Sequence, residues 1–264
     1  MMRRINFFLL GMLLIVGPAY YWLLLDTWPG GALPRPVSIG ELRALAAAPP
    51  GPLPTGVEME PVAHRLLPGN LICAGSGMKR KLVGLLAFQL PVSGRRPILI
   101  EPAMAIGRQA GVRLGNTYAE SKARVEQARR SAGLIVAMEA DPADDRPAAL
   151  APGIVAIPTS GRSPGARMLY VRLADGAEYL LTGDVAPMAQ SWGELRNRAR
   201  LVTDYWFPED RHPVFEWLGT VRRLKDEAPA LHVVPGYDLE WLADAQNHSG
   251  VTVKFRDNYA SAGQ

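Results

Sequence analysis

Hydrophobic and polar positions divide the chain into three unlike stretches. Ile5 to Leu25 runs without a charge (INFFLLGMLLIVGPAYYWLLL), long enough to cross about 30 Å of hydrocarbon as a helix. Asp26 to Gly56 is broken by Pro and Gly (TWPGG, LPRP, APPGPLPTG) and reads as a semi-rigid tether. Within it Ser38-Ile39-Gly40-Glu41 has the spacing of a capping box ahead of LRALAAA. That predicts a short helix over about 39–48, packed on the domain or on the membrane surface. From residue 57 on, apolar runs alternate with polar, turn-rich ones.

The apolar runs predict strands at Leu82–Leu90, Pro97–Ile100, Leu134–Met138, Ile154–Ile157, Met168–Leu173, Tyr179–Thr182 and Leu231–Val234. Asp175-Gly176 marks a hairpin turn between two of them. Helical period and composition predict helices at Tyr118–Ala132, stopped by Gly133, and at Val214–Glu227, with a polar helical stretch at Ser191–Arg200. Strand pairs first, then strands alternating with helices, imply an α/β sandwich. The expected organisation is a signal anchor over 1–25, a linker with a short helix over 26–56, and one domain over 57–264.

Charge refines this picture. Arg3 and Arg4 precede the apolar run, and Tyr20, Tyr21 and Trp22 lie near its far end, where amphipathic rings favour the interface. The expected topology is a single-pass membrane protein with a cytoplasmic N-terminus and a main domain outside, as in a periplasm. A cleaved signal peptide also fits, with Gly17-Pro18-Ala19 as its small-residue site. The apolar run onward from Tyr20 would then leave a sticky end, which favours an uncleaved anchor. Lys and Arg number 29 against 25 Asp and Glu, a net +4. So small an excess, spread along the chain, gives no support to nucleic-acid binding.

Candidate chemistry is sparse. One cysteine, Cys73, excludes an internal disulfide and a cysteine-based zinc cluster, and reads as a buried core thiol. The four histidines (His64, His212, His232 and His248) are too scattered for a His-rich metal motif. His232 opens a strand and reads as structural, and His212 sits in EDRHP within reach of a pocket mouth. Trp192 with Tyr205-Trp206-Phe207 fits an apolar pocket lining or plain core and lid packing.

Four segments in order carry a resemblance. They are ILIEP at 98–102, Leu134–Asp145, IPTSGRSPGARMLYVRLADGAEYLLTGD at 157–184, and HVVPGYD at 232–238. Their order and spacing over about 57–245 resemble the metallo-β-lactamase fold superfamily of hydrolases, most closely its lactonase-like and general hydrolase branch. The resemblance implies a four-layer αβ/βα sandwich. It also implies loops converging on one cleft, where His and Asp ligands of active members hold one or two metals, usually zinc.

This chain departs from that pattern at the ligands. The first two histidine positions of the motif in the 134–145 segment are Ala140 and Pro142, and its last residue is Asp145. The histidine of P-G-H-T-P-G is Arg162, and that of P-G-H-D is Tyr237. Asp144 and Asp184 persist. Two carboxylates do not make a zinc site, which wants three or four placed N, S or O donors. No cofactor is therefore expected. The alternative is a divalent hard cation on Asp141, Asp144, Asp145 and Asp184, in a rebuilt hydrolase for an ester or lactone bond. The first reading is a non-zinc pseudoenzyme that binds a small ligand or an envelope protein at the old cleft. Asp144, Arg162, Asp184 and Tyr237 are the cleft candidates. An ionised Asp184 without a metal needs a counter-charge. Arg162 is expected to supply it, to Asp184 or Asp144, with Tyr237 adding a hydrogen bond.

Overall fold

The computed structural model describes residues 2–102, 116–140, 146–245 and 250–255 of the 264-residue chain, with the backbone alone at 2–5, 116 and 245. Asp141, Asp144, Asp145 and His248 lie outside the described residues.

Alternation along the strands builds two sheets. β1 (Val57–Pro68), β2 (Arg80–Leu90), β3 (Ile98–Glu101), β4 (Asn116–Thr117), β5 (Leu134–Ala137) and β11 (Val251–Val253) form the first, in the order β11-β1-β2-β3-β5 with β4 on β1. β6 (Ala148–Ala151), β7 (Ile154–Pro158), β8 (Arg167–Arg172), β9 (Glu178–Leu181) and β10 (His232–Val234) form the second, in the order β10-β9-β8-β7-β6. β1 to β3 are antiparallel and β6 to β9 likewise, while β3–β5, β1–β11 and β9–β10 pair in parallel.

Because strand side chains alternate faces, each strand of the second sheet feeds two cores. Ile154, Leu169, Val171 and Leu181 point to Leu86, Phe88 and Ile100 of the first sheet. Val155, Ile157, Met168, Tyr170 and Leu180 point the other way. There they meet α2 (Ile39–Ala47) and α6 (Arg211–Glu227) through Leu42, Ala46, Leu218 and Val221. On the outer face of the first sheet, Ala87 and Leu99 pack on Ala128 of α4 (Ala119–Ser131). The layers therefore run helix, sheet, sheet, helix. Short helices α3 (Gly69–Ile72), α5 (Ala189–Gly193) and α7 (Leu239–Ala245) complete the domain.

At the N-terminus α1 (Met2–Tyr20) continues as a π-helical turn, Tyr21–Leu25. Asn6–Leu25 is long and apolar enough to cross a membrane. The segment after it is held against the domain. Ser38 caps α2 as its sequence spacing requires, its Oγ accepting from the Glu41 amide at 3.2 Å. Arg43 then grips Glu178 with two bonds of 2.7 Å, and Tyr170 donates to the same carboxylate at 2.5 Å. Of the two docking places open to the short helix, the domain face is the one taken.

The short elements α3, α7, β4, β6 and β11 were absent from the sequence reading, and two larger elements differ from it. β1 escaped it because VEMEPVAHRLLP alternates with carboxylates. Glu58 and Glu60 are nonetheless buried, and Arg124 of α4 caps Glu60 with bonds of 2.7 and 3.1 Å. The polar helix expected over 191–200 is only α5. Leu195 takes a left-handed φ of 52° and ends it. The following Asn197 and Arg198 turn inward, where their buried hydrogen bonds outweigh helix propensity.

Candidate functional site

Four loop segments and one strand end bring the site together. Arg162 lies in the loop joining β7 to β8, Asp184 two residues past Thr182 at the end of β9, and Tyr237 three residues past β10. Asn197 and Arg198 follow α5, and Glu209 precedes α6. The β9 and β10 ends approach closely. A Cβ added to Gly236 would sit 1.8 Å from the Gly183 carbonyl oxygen, so only glycine fits there. Gly183 itself takes φ 53°, which turns the chain so that Asp184 points inward.

Charges alternate through this cluster. Arg162 donates through Nη1 to Glu209 Oε2 at 2.8 Å, and through Nη2 to the Val185 carbonyl at 3.0 Å and to Asn197 Oδ1 at 3.1 Å. Arg198 bridges two carboxylates, reaching Glu209 Oε1 at 2.6 Å and Asp184 Oδ1 at 2.5 Å. Tyr237 donates its hydroxyl to the same Asp184 oxygen at 3.1 Å. The four charged side chains are between 2% and 8% exposed. Two cations balance two anions, as burial demands.

The ionisation states follow. Burial pushes the Asp184 carboxyl up, but the Arg198 and Arg162 guanidiniums outweigh it and hold the carboxyl below its ordinary 3.8. Burial and the neighbouring Arg198 charge pull Arg162 down, though a guanidinium stays charged in any folded protein. Burial and the Asp184 charge push Tyr237 well above 10, so it remains a neutral donor.

This donor set does not fit zinc. Position 162 supplies a guanidinium, a cation without acceptor capacity. Asp184, the described carboxylate retained from the family pattern, is already engaged by Arg198 and Tyr237. Within the network the unpartnered buried atoms, Arg162 Nε and Asn197 Nδ2, are N–H donors and would repel a cation, while the Thr159 and Ser163 hydroxyls of the Arg162 loop are also without a partner. Among the described residues, no group of three or more His, Cys, Asp or Glu gathers to hold a metal. An adjoining cavity lined by Phe88, Met138, Gly183 and Tyr237 measures about 10 Å³, room for about one water.

A larger open cleft of about 420 Å³ lies along the Arg162 loop, with Arg162 in its lining. The loop over 158–166 forms its floor, with Arg35 from the linker and Trp217 from α6 at its sides. Arg35 is ion-paired to Glu216 at 2.7 Å there.

Three cleft candidates thus converge, and Tyr237 makes its expected bond to Asp184. Of the two partners expected for Arg162, Asp184 is taken by Arg198 while Arg162 binds Glu209, and Asp144 lies outside the described residues. Arg198, Glu209 and Asn197 escaped the sequence reading because they sit in irregular segments. The Arg-rich run ELRNRAR was the available signal. The remaining candidates lie apart. His232 stacks on Tyr179 at 4.8 Å between ring centroids, and burial lowers its pKa. His212 is exposed beside Glu216 on α6. Cys73 is buried, and burial pushes its thiol up. Trp192 packs against the α6-side core, while Tyr205 and Trp206 face outward.

Neither a protein-family model nor a curated protein matches the chain. Solved structures do. An AiiA mutant of B. thuringiensis, with N-decanoyl-L-homoserine bound at its active site, is 13% identical with a TM-score of 0.55, over 73% of this chain and 96% of that one. A quorum-quenching N-acyl homoserine lactone lactonase is 13% identical with a TM-score of 0.54, over 71% and 94%. A probable metal-dependent hydrolase of Staphylococcus aureus is 7% identical with a TM-score of 0.51, over 72% and 91%. The chain has the metallo-β-lactamase fold. At such identities the match concerns the fold, and function rests on the site.

Proposed function

We infer that this chain is a membrane-tethered pseudoenzyme of metallo-β-lactamase fold, a binding protein and not a zinc hydrolase. The observation that carries the reading is the Arg162–Glu209–Arg198–Asp184 network, with guanidinium at a position where the fold's hydrolases place imidazole. A zinc ion activates its bound water by lowering the water's pKa to about 7. Two fixed cations beside Asp184 leave no place for that ion, so the hydroxide nucleophile is not generated. The binding surface is the cleft of about 420 Å³ beside the same loop, within the size range of small-molecule pockets. The occupant is a small ligand or a segment of an envelope protein. The apolar helix over Asn6–Leu25 is the anchor. Arg3 and Arg4 hold its start in the cytoplasm, and the domain stands outside.

The rival reading is an ester or lactone hydrolase using a hard cation on Asp141, Asp144, Asp145 and Asp184. The lactonases among the structural neighbours are its support. An assay of the purified full chain with acyl homoserine lactones and simple esters, with and without added zinc, manganese or calcium, separates the two. The pseudoenzyme reading predicts hydrolysis at the buffer rate throughout. Turnover that rises with one of these ions and disappears in Asp184→Asn would establish the rival.

A further inference from the structure

The end of the apolar helix is clamped to the domain at two separate places. The Gly75 amide donates to the Leu24 carbonyl at 3.2 Å. Arg200 donates to Asp26 Oδ2 at 2.6 Å, and its guanidinium lies 3.9 Å over the Trp22 ring. Arg211 adds a bond to the Asp26 carbonyl at 3.1 Å, and Asp26 is 4% exposed. A domain held this way does not swing freely below its anchor. The segments carrying the clamps are fixed beside the C-terminal end of the apolar helix.

Both segments, and the chain just past the clamp, present side chains suited to a membrane interface. Three residues beyond Gly75, Met78 is 57% exposed, and Lys79 and Arg80 after it are exposed as well. In the π-helical turn after Arg200, Tyr205 is 67% and Trp206 52% exposed. Trp28, two residues past Asp26, is 72% exposed. Trp206 closes the same π-helical turn, six residues from Arg200. The interfacial layer on each side of the hydrocarbon is about 5–7 Å thick. Large apolar side chains left in water beside such a layer are unusual in a soluble surface. Amphipathic rings favour the layer itself, and Lys and Arg are drawn to anionic headgroups.

We propose that Trp28, Met78, Lys79, Arg80, Tyr205 and Trp206 form a rim that docks the domain onto an anionic phospholipid surface around its own anchor. The proposal rests on the membrane tether inferred above. The aromatic and Met side chains enter the interfacial layer, and the basic pair faces the headgroups. Asp204, the acid within the turn, is ion-paired to Arg200 at 3.4 Å.

The test uses the full chain in bilayers of phosphatidylcholine with phosphatidylglycerol, acyl chains brominated near the carbonyl, and tryptophan fluorescence as readout. Wild type, Trp22→Phe, Trp206→Phe and the double variant Lys79→Glu, Arg80→Glu are compared. Docking predicts that brominated lipid quenches wild type, and that Trp22→Phe and Trp206→Phe each remove a separate share of the quenching. It also predicts that the double charge reversal cuts the Trp206 share about twofold or more while sparing the Trp22 share. If Trp206→Phe quenches like wild type while Trp22→Phe does not, the anchor stands and docking is overturned. If lipid quenches none of the proteins, the tether and docking fail together.

Discussion

Arg162 carries the sharpest consequence at the level of single residues. It is 2% exposed and holds an equally buried Glu209. Its removal leaves Arg198 as one cation between two buried carboxylates, Glu209 and Asp184, so Arg162→Ala should destabilise the fold by about 3–5 kcal/mol in denaturant melts. Glu209→Gln in the Arg162→Ala background should recover part of the loss, because the excess negative charge is then absent and Arg198 is left paired with Asp184 alone. Small, additive effects would mean that the pair is not coupled. The same network sets a pH dependence. Asp184 has its folded pKa held below the ordinary 3.8 by Arg198 and Arg162. Its stabilising contribution is therefore complete above about pH 4 and is lost as acid carries the pH down through the lowered folded value. Glu178, gripped by Arg43, and Glu60, held low by Arg124 against burial, act in the same direction. Asp238, raised by burial, works the opposite way. Asp184→Asn should be the less stable protein at neutral pH, and its deficit against wild type should shrink as melts are taken below pH 4. A constant deficit would contradict an ionised Asp184. Position 162 was visible in sequence because it interrupts a recognisable loop, but its partner was not. Glu209 and Asn197 reach it from irregular segments 47 and 35 positions along the chain, and no local pattern records such an approach.

Among the elements, those bounded by turn residues were readable, and those stabilised by distant partners were not. β8 and β9 announce themselves through alternation around Asp175-Gly176, where the Asp175 carboxylate closes the turn by accepting from the Ala177 amide at 2.9 Å. α2 announces itself through its Ser38 cap. β1 does not, since its buried Glu60 becomes acceptable only once α4 brings Arg124 over it. The β9 and β10 ends, which aim Asp184 and Tyr237, depend on a contact between two glycines. Gly236→Ala would drive a methyl into the Gly183 carbonyl and should cost about 1–3 kcal/mol or more. It should also disturb the Tyr237 environment, measurable as a change in near-ultraviolet circular dichroism. Leu42 of α2 is fully buried against the second sheet. Leu42→Ala should therefore destabilise the whole domain by about 2–5 kcal/mol. A cost under about 1 kcal/mol would show that α2 is only loosely attached in solution.

At the scale of the whole molecule, the two-sheet sandwich, the anchor-like helix and the converging loops were all foreshadowed by the order of punctuated segments. The chemistry of the centre was foreshadowed only as a loss. The resemblance implies missing imidazoles; the folded chain gathers two guanidiniums and two carboxylates in balance at the converging loops. If that balance replaces a metal, the protein keeps its fold without one. Chelator treatment should then leave the melting temperature unchanged, whereas a structural metal would make it fall. The most direct measurement is elemental analysis of the full chain purified without chelators. A centre held by Arg162, Glu209, Arg198 and Asp184 predicts far less than about one zinc per chain. A zinc content near about one per chain, lost together with Asp184 in Asp184→Asn, would contradict it.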